Sequence, residues 1–136
     1  MSTRAQVQVK GSEVMIYRHS DGYPSGVLPT LVPRMKGFIK ARGTNDVEYA
    51  TANVMKAFVE ASIDSVADRI DSGMLDPEMY HDMFRYTGYG IGTQMHGDIE
   101  YFYEIDLKEK KIIVYAMGWE GDQEVDEIVD LSTEEE

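Results

Sequence analysis

Ile99-Glu100-Tyr101-Phe102-Tyr103-Glu104-Ile105-Asp106-Leu107 is the most regular stretch of the chain. Side chains alternate across a strand. Ile99, Tyr101, Tyr103, Ile105 and Leu107 therefore share one face, and Glu100, Phe102, Glu104 and Asp106 share the other. Lys108-Glu109-Lys110-Lys111 reads as a polar turn, and residues 112–117 supply a partner strand. A lone hairpin is marginal in water, so this one needs further strands or a helix to cover its apolar face. The other end of the chain offers them. Ala5, Val7 and Val9 alternate with polar residues over 4–10, Gly11-Ser12 makes a turn, and Val14, Met15, Ile16 and Tyr17 form an apolar run within residues 13–19. These read as a second hairpin.

Between the hairpins the period lengthens. Leu28, Leu31, Val32, Met35, Phe38 and Ile39 follow helical spacing, with Lys36 and Lys40 opposite. Pro29 and Pro33 crowd the start, which predicts Thr30 as N-cap with Pro33 in the first turn, and Gly43 as the stop. Asn45-Asp46-Val47-Glu48 has the form of a capping box, with Asn45 as N-cap of a long helix over 46–72 that ends at Gly73. Asp76 and Pro77 then start a short third helix, running to about residue 86. Residues 87–97 are glycine-rich and leave room for one further strand over 89–95.

Strands at both ends and helices in the middle predict an α+β fold. It has a single antiparallel sheet built from an N-terminal and a C-terminal hairpin, with two to three helices packed on one face. Tyr101, Tyr103 and Tyr115 are expected as a core ladder across its strands. Residues 1–119 form one domain. Residues 120–136 hold nine acidic side chains and no basic one, and read as a solvated, flexible tail.

That tail carries most of the net charge of −12. The body has 16 acidic against 13 basic side chains. Direct nucleic-acid binding is disfavoured by such a field. The chain has no cysteine, which removes disulfides, thiol nucleophiles and Cys-ligated metals. The first six residues contain no apolar signal core, and no apolar run approaches the roughly 20 residues of a membrane span. The expectation is a cytoplasmic protein, or one of the host cytoplasm if viral, without membrane attachment.

The densest chemistry lies in Tyr17-Arg18-His19-Ser20-Asp21-Gly22-Tyr23-Pro24. As a site, Arg18 would hold an anion, Tyr23 would stack on a ligand, and His19 would act as a general base oriented by Asp21. As plain structure, Ser20-Asp21-Gly22 is a turn in which Gly22 supplies a positive φ, and the tyrosines are core aromatics. A second group is His96-Gly97-Asp98, preceded by Gly88, Gly90 and Gly92. The G-x-G-x-G spacing after a helix and before a strand is not a dinucleotide fingerprint, and no Gly-Lys-Ser/Thr follows for a P-loop. His19, His81 and His96 show no ligand spacing, so no metal and no cofactor are expected. No G-x-S-x-G elbow supports a serine nucleophile.

The octapeptide at 17–24 and the later run His96-Gly97-Asp98-Ile99-Glu100-Tyr101-Phe102-Tyr103-Glu104-Ile105 resemble a loose group of small uncharacterised proteins from archaea, bacteria and their viruses. No activity attaches to that group. The resemblance implies a prokaryotic or viral, intracellular protein in which Arg18, His19, Asp21 and Tyr23 belong with His96 and Asp98 as one ligand-binding set. A binding module for a protein partner or a small molecule is the leading expectation, in one form a viral or mobile-element regulator or inhibitor of a host protein; a homodimer is left open. The alternative is a small acid–base enzyme with His19, Asp21 and His96 as catalytic candidates, in which Asp21 or Asp98 orients His19. A shared site requires His19 and His96 within roughly 12 Å of each other, given hydrogen-bond reach.

Overall fold

The computed structural model describes residues 3–73, 88–118 and 122–132. The third helix expected at 76–86, and His81 with it, lie outside the described residues. Six strands and two helices follow in the order β1 (Ala5–Val9), β2 (Met15–Arg18), α1 (Pro24–Arg42), α2 (Val47–Asp71), β3 (Tyr89–Gly92), β4 (Tyr101–Asp106), β5 (Lys111–Met117) and β6 (Gln123–Asp130). The fold is α+β: one mixed, mostly antiparallel sheet with two helices packed against it. Its strand order is β3-β2-β1-β4-β5-β6.

The two expected hairpins are both present and share one sheet, but their junction is parallel. β1 pairs antiparallel with β2 and parallel with β4, with Gln6 opposite Tyr17 on one side and Phe102 on the other. Each hairpin offers its first strand to the other, and those first strands run the same way. β1 is thus flanked on both sides, which suits its near-continuous burial.

One sheet face makes the core. Val7, Ile16, Tyr103, Ile105, Ile112 and Val114 meet Val27, Leu31, Met35 and Phe38 of α1 and Ala50, Val54 and Phe58 of α2. The stripe on α1 explains a correction. The helix starts at Pro24, with Tyr23 as N-cap and Pro24 in the first turn, not at Thr30. Pro29 and Pro33 therefore lie inside the helix. An interior proline costs about 3 kcal/mol, whereas burying four large apolar side chains returns about 1.5–3 kcal/mol each. Both prolines are exposed, on the side away from the core, where water reaches the carbonyls they leave unpaired. Gly43 does close the helix, donating its N–H to Ile39 O. α2 is capped by Asp46 and not by Asn45, since the Tyr49 N–H donates to Asp46 Oδ1 at 3.1 Å.

Two further expectations change. The tail expected at 120–136 contains β6, which pairs antiparallel with β5 over its whole length around a bulge between Val114 and Tyr115. The tyrosine ladder is broken. Tyr103 is fully buried in the core and Tyr101 packs at its margin. Tyr115 sits opposite Phe102 on the face away from the helices, their rings 6.0 Å apart. Among the described residues, no helix is long and apolar enough to cross a membrane.

Candidate functional site on the open face of the sheet

β2 alternates across the sheet. Ile16 enters the core, so Tyr17 projects from the opposite, open face, and Arg18 returns to the helical side. The loaded octapeptide is thereby split. His19 continues on the open side, where its Nδ1 lies 3.2 Å from the Tyr17 hydroxyl. Arg18 points its guanidinium over the Phe58 ring of α2, 4.8 Å from the centroid, and donates from Nε to Ser20 O at 2.9 Å. Among the described residues, Arg18 Nη1 is buried without a hydrogen-bond partner.

The loop after His19 is held from below. Asp21, not Gly22, takes the left-handed conformation, with φ 55°. Gly22 is required for closeness instead: a Cβ there would lie 2.7 Å from Ala5 Cβ and 2.9 Å from Thr3 O. The Gly22 N–H donates to Thr3 O, and the buried Tyr103 hydroxyl donates to Gly22 O at 2.7 Å. Burial, with a smaller contribution from Tyr101, pushes the Tyr103 phenol far above its ordinary value, and the Arg18 charge offsets only part of this. Tyr103 thus remains a neutral donor to the loop. Asp21 accepts from the Tyr23 hydroxyl at 3.3 Å, and Tyr23 is 41% exposed.

His96 arrives from the connection between β3 and β4. The chain leaves β3 at one edge and re-enters the sheet beyond β1, so residues 93–100 must cross β2 and β1. They do so over the open face. His96 lies on Tyr17 with ring centroids 4.5 Å apart and planes 20° from parallel. Gln6 staples the crossing: its Oε1 accepts from the His96 backbone N–H at 2.8 Å, and its Nε2 donates to Gln94 O at 3.2 Å. This explains why Gln6 is fully buried although it sits on the non-core face.

Tyr17 therefore joins the two imidazoles, lying 6.2 Å from the His19 ring and 4.5 Å from the His96 ring. Even with the three rings in a line, the histidines fall inside the roughly 12 Å limit for a shared site. The carboxylates do not join them. Asp21 is engaged with Tyr23, and Asp98 pairs with Arg4 at 3.6 Å. The residues brought together are His19 and His96, with Tyr17 between. Arg18 is on the other face, and Asp21, Tyr23 and Asp98 form separate pairs beside the patch. Among the described residues, no three metal-ligating side chains converge.

Gln6 and Tyr17 are the positioning residues that sequence reasoning missed. The plain-structure reading of the octapeptide puts Tyr17 in the core, and nothing in the alternation of β1 separates Gln6 from Gln8, which is only half-buried. A glutamine facing water and one covered by a returning loop look alike until the loop's path is known. Compared with known protein families, with curated proteins and with solved structures, the chain matches none.

Proposed function

We propose that this protein is a binding module whose recognition surface is the open-face patch of Tyr17, His19 and His96, and that its ligand is another protein. The observation that carries this reading is the partnering of His19. Its ring faces a phenol, and Asp21 and Asp98 are engaged by Tyr23 and Arg4, so among the described residues neither candidate carboxylate is given to His19. Acid–base catalysis needs a base oriented by a third group; recognition needs rigid aromatic and polar groups on an accessible surface. His19 and His96 are exposed, and the stack on Tyr17 together with the Gln6 staple fixes His96 in advance. Preorganisation of this kind lowers the ordering cost of association. A regulator or inhibitor of a host protein is the form of this idea that suits the resemblance to prokaryotic and viral proteins.

Photo-crosslinking in cell extract tests the reading. A photoreactive residue in place of His19 gives a discrete adduct that excess unlabelled wild-type protein competes away. The same residue in place of the exposed Lys40 of α1 gives none. Equal adducts at both positions, or none at either, would overturn the proposal.

A further inference from the structure

The far edge of the sheet carries a second surface, independent of the Tyr17 patch. β6 is the longest strand of the sheet, at eight residues, yet it contributes almost nothing to the core. Every one of its residues is exposed except Val129, which packs against the core margin. Among the described residues it pairs with β5 on one side only, and it ends the strand order. An edge strand leaves alternate backbone N–H and C=O groups unpaired, which is a template for one more strand.

Side chains on β6 are consistent with that template. Val125 and Ile128 are 57% and 59% exposed. They sit opposite Tyr115 and Ile113, so they extend an apolar stripe running from Phe102 across the open face to the edge. An added strand would find apolar neighbours there on the open face. Charge selects its composition. Glu124, Asp126, Glu127 and Asp130 lie on the strand and Asp122 just before it, while no basic side chain occurs between 120 and 136. Like charges directly opposite each other destabilise a strand pair, and opposite charges stabilise it. A second copy of β6 would set acid against acid. A lysine- and arginine-rich extended segment would set base against acid.

We infer that β6 is a docking edge that accepts an extended, basic segment of a partner protein as a seventh strand. The charges that prevent self-association of the edge are those that select the ligand.

The probe is the synthetic peptide Lys-Val-Arg-Val-Lys-Val-Arg, added to the full chain and followed by amide hydrogen exchange and by fluorescence anisotropy. Exchange at β6 amides slows by roughly tenfold or more, as expected when edge amides enter a ladder, while β3, the opposite edge, is unchanged. A peptide of the same sequence with alternate backbone nitrogens methylated keeps the charge but loses the donors, and binds at least roughly tenfold more weakly. So does wild-type peptide against the chain carrying Glu124→Gln, Asp126→Asn and Glu127→Gln. Equal binding of the methylated peptide would reduce the interaction to non-specific charge attraction and overturn the inference, and that arm needs no variant protein. Protection at β3 rather than β6, equal binding of a Glu-Val alternating peptide, or sedimentation as a dimer joined through β6 would overturn it equally. None of these results bears on crosslinking from position 19, so the two surfaces stand or fall separately.

Discussion

The ring of Tyr17 lies flat against the imidazole of His96, centroids 4.5 Å apart, although one belongs to the first hairpin and the other to the connection entering the second. Such a stack is worth about 0.5–1.5 kcal/mol beyond simple burial. Its larger consequence is positional, because it settles where the 93–100 crossing lies and which groups share the open face.

The crossing is held by Gln6, and replacing that residue separates local from global effects. Gln6→Leu keeps the volume and leaves the His96 N–H and Gln94 C=O without partners. We expect a loss of about 0.5–1.5 kcal/mol in urea unfolding, the net worth of a typical hydrogen bond, because Gln94 and His96 are exposed and water can reach the freed groups. Amide exchange at 94–96 should accelerate more than exchange in β4. Unchanged exchange at His96 would show that Gln6 does not hold the crossing.

Gly22 and Gly37 make a paired test of where glycine is needed. A Cβ at Gly22 meets Ala5 Cβ at 2.7 Å, whereas one at Gly37, inside α1, meets nothing within 4 Å. Gly22→Ala should destabilise by about 1–3 kcal/mol through overpacking. Gly37→Ala should stabilise by about 0.4–1 kcal/mol by restricting the unfolded chain. Equal effects in thermal unfolding would contradict the close approach of the loop to β1.

The Tyr103 phenol should give the fold an alkaline limit. Its folded value is raised above the ordinary 10.0, so its contribution is complete below pH 10. Above that pH the unfolded chain releases the proton first, and stability declines as pH rises. Tyr103→Phe should lose about 1 kcal/mol at neutral pH with its hydrogen bond to Gly22. It should also show a flatter stability profile between pH 10 and 11 than the wild type. Parallel profiles would place the hydroxyl in contact with water.

Asp46 works in the opposite pH direction. Its carboxyl is lowered below 3.8, first by the Arg42 side chain and then by the Tyr49 N–H. A depressed carboxyl stabilises the fold above its unfolded value, and the effect disappears as pH falls through the folded one. Asp46→Asn should therefore melt earlier than wild type at pH 7, with the gap closing below pH 3.8. A gap that persists in acid would implicate something other than the charge.

Particular residues show what the sequence could and could not convey. The β4–β5 hairpin was legible because Ile99 to Leu107 alternates without interruption and a charged turn follows. The stop at Gly43 was legible for a similar local reason. β6 was not, because Glu124, Asp126, Glu127 and Asp130 dominate its composition, and an exposed edge needs few apolar residues to stay paired. The start of α1 was obscured by Pro29 and Pro33, whose local preference is overridden by four core side chains on the opposite face. The parallel junction of β1 with β4 has no local signature at all. In the candidate site, proximity of His19 to His96 followed from joining two hairpins into one sheet. The choice of Tyr17 as their bridge, and the engagement of Asp21 by Tyr23 and Asp98 by Arg4, depend on loop paths that alternation does not record.

The most direct test of the central claim is the affinity of the protein crosslinked from position 19. It should be measured against the full-length wild-type chain and against His96→Ala, an exposed substitution that leaves the core untouched. We expect binding weaker by roughly tenfold or more, the scale of a central interface residue, with folding stability lowered by no more than the about 0.5–1.5 kcal/mol of the stack on Tyr17. Equal affinity of the two chains would contradict a recognition surface centred on Tyr17, His19 and His96.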